Sequence, residues 1–234
     1  MTVPVIHRVA ALDLRVRSTP WPFAQARRAD IDAHFAEKQR EKPKLWNGRV
    51  LLARNPVFTE GRLTATYFET DFASFLAWRD WGFPDSGVFN GFGMGALYSS
   101  DGAFLLGEMG QHTANAGRIY FPSGTPDLDD VRDGVVDIAG SVAREVGEET
   151  GLTDADYTAS AHWDCVVSGA AIAMIRVLRV DMPGEALRAR IDASLDRQHL
   201  PELSAIHLVR ETRDFTAAMP RFVTAFIERE FSAR

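Results

Sequence analysis

Three carboxylates and one guanidinium precede a glycine in the run Arg144-Glu145-Val146-Gly147-Glu148-Glu149-Thr150-Gly151-Leu152. At about 100° per residue the run reads as a helix on which Glu145 and Glu149 project near one another. Glu149 falls between Ile138 and Val142 on the apolar side, where a merely solvating charge would rarely stand. Arg144 and Glu148, four apart, can pair along the flank, and Gly151 can supply the left-handed residue that ends the helix. Clustered carboxylate oxygens suit Mg²⁺ or Mn²⁺, hard cations that favour carboxylates, carbonyls and water. A metal held this way suits a diphosphate. The bland alternative is an ordinary acidic helix, which the specificity of the pattern disfavours.

The run resembles the second half of the Nudix box, whose pattern is Gly, five residues, Glu, seven residues, then Arg-Glu-hydrophobic-any-Glu-Glu-any-Gly-hydrophobic. That half matches at every specified position, whereas Val136 stands where the spacing asks for Glu and Asp130 where it asks for Gly. The best glycine is Gly124, in Tyr120-Phe121-Pro122-Ser123-Gly124-Thr125-Pro126, which is similar to the family's strand-to-loop entry. From Gly124 to Arg144 is 20 positions (144 − 124) against 14 in the pattern, so a loop insertion carrying Asp127, Asp129, Asp130 and Asp133 is expected. Those carboxylates either replace the missing Glu or are solvated loop charges. Upstream, Gly93 to Gly107 reads as two strands around the Asp101-Gly102 turn, where a Nudix domain has its first hairpin. The resemblance covers roughly residues 87 to 230.

It implies an α/β Nudix sandwich, a mixed sheet with helices on its faces, carrying an N-terminal α+β extension over residues 1–86 packed on a domain of residues 87–234. It also implies Mg²⁺, or alternatively Mn²⁺, bound by Glu145 and Glu149 first, with the Ser123 carbonyl oxygen and Glu148 nearby. Arg144 would hold the glutamate helix in place, and Gly124 would border the substrate. The ion would offset diphosphate charge, orient the substrate and lower the pKa of the attacking water. A further acid completing the site or acting as base is assigned to Glu202, whose alternative is a solvated loop carboxylate.

The Pro43-Lys44-Leu45-Trp46-Asn47-Gly48 block, the Tyr67 to Phe83 segment, the lengthened loop and the block from Glu202 to Val209 are similar to the UDP-glucose/UDP-galactose-hydrolysing Nudix subfamily. That similarity implies cleavage to UMP and a sugar 1-phosphate, with Trp46 and Asn47 in the substrate pocket. Two other readings stay open: a Nudix diphosphatase for ADP-ribose, NADH, coenzyme A or another nucleotide, and a non-hydrolytic module that senses a nucleotide.

The elements that must position these residues follow from pattern. Residues 5–17 alternate as a strand, and residues 22–42 are helix-prone until Pro43. Trp46-Asn47-Gly48 is a turn into a strand at 49–53, with a second strand at 62–69. Thr70 or Asp71 can cap a helix bearing Phe72, Phe75, Leu76 and Trp78. The clustered aromatics read as a joint core, with base stacking as the alternative. Downstream, residues 170–180 form a buried strand, 185–195 a helix, 205–209 a strand, and 221–234 a helix whose Phe222, Phe226 and Ile227 are core contacts.

Composition sets the frame. With 234 residues, 46% of them hydrophobic, the chain can build a substantial core. The single Cys165 excludes an intramolecular disulfide, no cysteine-histidine cluster has zinc-site spacing, and the dispersed histidines suggest no ligand set. A net charge of −6 argues against broad nucleic-acid binding while allowing a local basic pocket for a small nucleotide. Neither a secretory leader nor a bilayer-spanning stretch is evident, so a cytoplasmic protein without membrane contact is expected. Sequence alone leaves the oligomeric state open. Gly91, Gly93 and Gly95 lack the dinucleotide-binding spacing and enter a strand.

Overall fold

A computed structural model describes residues 3–233, and its organising element is strand β5 (Val88–Tyr98). β5 runs parallel to β13 (Ala171–Arg179) from the Asn90/Ala171 pair to the Tyr98/Arg179 pair. On its other edge it meets β3 (Arg49–Thr59) at Phe89, β8 (Ser123–Gly124) at Gly93 and Met94, and β6 (Phe104–Met109) at Leu97 and Tyr98, all antiparallel. β6 also pairs with β7 (Ile119–Tyr120) and β14 (Leu203–Val209). The result is the expected mixed sheet.

Alternation along β5 assigns the layers. Gly93 and Gly95 face helix α4 (Ile138–Thr150): a Cβ at Gly93 would lie 2.5 Å from Val142 Cγ2, and one at Gly95 would lie 2.6 Å from Val146 Cγ2. These glycines let a helix lie directly on the strand. Phe92, on the opposite face, packs its ring 5.7 Å from Phe222 of helix α6 (Arg221–Ser232), whose Phe226 makes edge contacts with Phe104 and Phe121. Helix α5 (Gly184–Leu195) lies beside α4 and against β14.

The N-terminal residues share this sheet. β1 (Val5–Val9) pairs with β12 (Trp163–Ser168), and β12 with β13. β2 (Ala11–Val16) runs parallel to β4 (Arg62–Asp71) and meets the strand pair β9 (Val131–Arg132) and β10 (Val135–Val136) through Arg15 and Val135. β3 connects β4 to β5. Hydrogen bonding therefore crosses the expected boundary at residue 86. Arg8 on β1 adds an ion pair at 2.9 Å to Asp164, a fully buried carboxylate that also meets Arg229 of α6 at 3.3 Å.

Several expected elements differ in detail. The strand at 5–17 divides at Ala10 into β1 and β2. The helix at 22–42 divides at Arg27 (φ −111, ψ 20) into α1 (Pro22–Ala26) and α2 (Arg28–Glu41); Phe23 of α1 packs against both the Trp21 cluster and the cluster in which Ile31 and Phe35 meet Ala73 and Leu76 of α3 (Phe72–Asp80). β3 extends past Ala53 by absorbing Asn55 (φ 51) and Pro56 in a bulge, the place where a strand tolerates proline. The inserted loop is structured: a 3-10 turn at Leu128–Asp130 capped by Asp127 leads into the β9–β10 hairpin, where Asp133 (φ 51) and Gly134 (φ 76) make the reversal. The last helix ends at Ser232, and Arg234 of its expected range lies outside the described residues.

Candidate active site

Helix α4 presents the glutamates because its apolar stripe fixes its rotation. Asp137 caps its start, accepting from the Gly140 amide at 2.9 Å, and Gly151 (φ 74) closes its end. Burying Ile138, Val142 and Val146 against β5 carries Glu149 inward to 4% exposure and leaves the Glu145 side chain at 14%. Glu148 turns outward at 62% and pairs with Arg144 at 3.4 Å, so the structure does not bring it into the buried pair. Gly124 lies against Glu145, and a side chain there would collide with the carboxylate.

The buried pair is electrostatically uncomfortable. Burial pushes Glu145 up to about 7, against the pull of Arg144, and Glu148, Glu202 and Asp130 add to the rise. Burial also holds Glu149 well above the ordinary carboxylate range, reinforced by Glu145 and Glu202 and opposed by the Ser123 backbone hydrogen bond. Glu149 Oε1 is buried with no hydrogen-bond partner, a cost that a cation would relieve. Among the described residues no three His, Cys, Asp or Glu side chains are grouped to enclose an ion. The partnerless oxygen and the carboxylate donors nevertheless fit a hard divalent cation held by Glu145 and Glu149, with the Ser123–Gly124 backbone beside them.

Arg144 is anchored by the insertion. Its Nη2 reaches both oxygens of Asp130 at 3.2 Å, and its Nη1 reaches Glu145 Oε1 at 2.9 Å. Asp130 is 4% exposed and also accepts from Ser141 Oγ at 3.2 Å. Val136, at the position where the box asks for Glu, is a core residue of β10. Asp130 thus supplies a buried carboxylate on Arg144, whereas Asp129 and Asp133 are exposed and Asp127 caps the 3-10 turn.

A cavity of about 830 Å³ adjoins the pair. Ser123, Gly124, Tyr120 and Glu202 line it on the glutamate side, and Lys44, Arg79 and Arg118 bring positive charge. Trp46, Phe83 and Leu200, at 80%, 39% and 45% exposure, leave large apolar surfaces on the same cavity. Glu202 is exposed, and its carbonyl accepts from the Gly110 amide at 2.7 Å. Asn47 does not line the cavity: its side-chain oxygen accepts from the Ala73 amide at 2.7 Å, at the start of α3. Arg79 carries no local motif that marks it for the cavity, and Tyr120 stands inside the glycine-containing block without a sequence signal for its role.

No protein-family profile matches the chain, and no curated protein matches it. Among solved structures the chain is similar to a Nudix hydrolase from M. smegmatis, RenU, with 16% identity, 64% of this chain and 91% of that one covered, and a TM-score of 0.40. It is also similar to the MutT protein from Methanosarcina mazei Go1, with 18% identity, coverage of 62% and 94%, and a TM-score of 0.36. A bifunctional NMN adenylyltransferase/ADP ribose pyrophosphatase from Francisella tularensis gives 14% identity, coverage of 67% and 44%, and a TM-score of 0.40.

Proposed function

We propose that the protein is a Mg²⁺- or Mn²⁺-dependent Nudix-type hydrolase that cleaves the diphosphate of a nucleoside diphosphate linked to a second group. The observation that carries this reading is the buried Glu149, with one partnerless oxygen, set beside Glu145 and next to a cavity that presents Lys44, Arg79 and Arg118. On a chain of net charge −6 that concentration of cations favours a small anionic ligand. When bound, the divalent ion offsets diphosphate charge and lowers the pKa of the attacking water. Arg144, held by Asp130, keeps Glu145 oriented on its helix. The basic residues orient the phosphates, and Glu202 is the exposed carboxylate on the cavity wall available to take a proton from water. Water attack at one phosphorus breaks the bridging P–O bond and leaves one phosphate on each fragment.

Of the nucleotides, a UDP-sugar is the substrate that the block around Trp46 supports, and Trp46 does border the cavity. The metal treats all diphosphates alike, so discrimination must come from polar contacts in the pocket; Asn90 and Thr125 are among the wall residues able to make them. The deciding experiment incubates the protein and Mg²⁺ with UDP-glucose, UDP-galactose, ADP-ribose, NADH and coenzyme A, and separates the products. UMP plus sugar 1-phosphate should form fastest. Faster turnover of an adenine substrate would reject the UDP-sugar assignment and keep the hydrolase, whereas nucleotide binding without turnover under Mg²⁺ or Mn²⁺ would make the protein a sensor.

A further inference from the structure

A chain of hydrogen bonds runs from the N-terminal region into the cavity wall. Arg79 Nη1, on α3, donates to Asn115 Oδ1 at 3.2 Å, and Asn115 Nδ2 donates to the Tyr120 hydroxyl oxygen at 3.0 Å. The orientation of the amide is not free. A guanidinium only donates, so the Asn115 atom facing Arg79 must be the carbonyl oxygen, and the NH₂ must face Tyr120. The tyrosine oxygen is then an acceptor, and its own proton must point elsewhere. Among the described residues that proton has no acceptor. Tyr120 is 8% exposed, lines the cavity and lies close enough to Glu149 and Glu202 to feel their charge.

We propose that Tyr120 donates its hydroxyl proton to a diphosphate oxygen of the ligand, and that Arg79 and Asn115 are the positioning residues that aim it. The inference rests on the diphosphate reading of the cavity and assigns a specific donor to it. Burial raises the Tyr120 pKa above its ordinary value, and Glu149 and Glu202 reinforce the rise, so the group stays a donor at neutral pH. The arrangement gives α3 a role at the site, and Lys42, at the C-terminal end of α2, grips the same loop by donating to the Thr113 carbonyl.

The test measures binding of methylene diphosphonate, whose carbon bridge resists hydrolysis, to the full chain with Mg²⁺ by calorimetry, alongside turnover of the best nucleotide. Tyr120→Phe keeps the ring and removes the donor, and should weaken diphosphonate binding about tenfold, the value of a hydrogen bond to a charged group. Asn115→Ala frees the hydroxyl to turn away and should weaken binding in the wild-type background but not in the Tyr120→Phe background. Unchanged affinity in Tyr120→Phe, or an Asn115→Ala loss that persists undiminished without the hydroxyl, overturns the assignment. Should Tyr120→Phe lower the melting temperature, all four proteins are compared at a temperature where each is folded, because Asn115 also lines the cavity and only its dependence on the hydroxyl carries the test. Wild-type binding without turnover of any nucleotide rejects the hydrolase and keeps the donor; turnover with Tyr120→Phe unaffected does the reverse; neither binding nor turnover rejects both.

Discussion

Glu149 is a residue whose burial works against the stability of the metal-free protein. Replacing it by glutamine keeps the shape, removes the repulsion with Glu145, and removes the charge a cation needs. Metal-free Glu149→Gln should therefore melt above wild type, lack the upward shift expected of wild type with Mg²⁺, and turn over more than about a hundredfold more slowly at subsaturating Mg²⁺. Thermal melts with and without Mg²⁺ check both halves, and a variant that still gains stability from Mg²⁺ would remove Glu149 from the ligand set. Asp130 acts one step further out, through Arg144. Asp130→Asn should cost about 10- to 100-fold in metal affinity or activity, while Asp129→Asn, at an exposed position, should cost nothing measurable. Equal effects from the two would return the insertion to the status of a generally acidic loop.

Helix α3 is the element that brings Arg79 to the cavity, and Asp71 holds its start. The Asp71 carboxylate accepts from the Ser74 amide at 3.0 Å and from Arg28 at 2.8 Å, while Asn47 caps the Ala73 amide. Burial would raise the Asp71 pKa, but the Ser74 and Arg28 contacts outweigh it and the net shift is downward. A depressed folded pKa means that the contribution is present above the ordinary carboxylate value and is lost as pH falls through the folded one. Asp71→Ala should thus cost about 1 kcal/mol at neutral pH, and the gap to wild type should begin to narrow near about pH 4 and close as pH falls through the depressed folded value. Urea midpoints for the two proteins at neutral and acid pH measure it; a gap independent of pH would mean that the ionised cap is not what stabilises the helix.

At the scale of the whole molecule, residues 5–71 contribute four strands to the one hydrogen-bonded network. Removing residues 1–86 would strip β1 from β12 and β3 from β5, expose unpaired edges and open the core around Leu51, Ala53 and Tyr67. The truncated chain should aggregate or lack a cooperative melt, and so lose activity through its fold. A soluble, cooperatively folded remainder that only lost substrate affinity would instead make residues 1–86 an appended recognition module. Circular dichroism melts and sedimentation of the truncated chain separate the two results.

Local information determined much of α4. The apolar spacing of Ile138, Val142 and Val146 placed Glu145 and Glu149, and Gly151 fixed the helix end, because these depend on residues within two or three turns of one another. The paired strands around Asp101-Gly102 and a helix start capped by Thr70 or Asp71 were legible for the same reason, and the structure settles the cap on Asp71. Tertiary structure alone decided which carboxylate meets Arg144, since Asp130 and Arg144 are brought together by a hairpin whose role in the sheet depends on Arg15, far away in sequence. It decided that Asn47 serves a helix start and Trp46 the cavity, although the two are adjacent. It also decided that β1 joins β12 and that Arg79 reaches Asn115. Partner choice among strands and long side chains is settled by the packing of the complete core, and no local spacing records it.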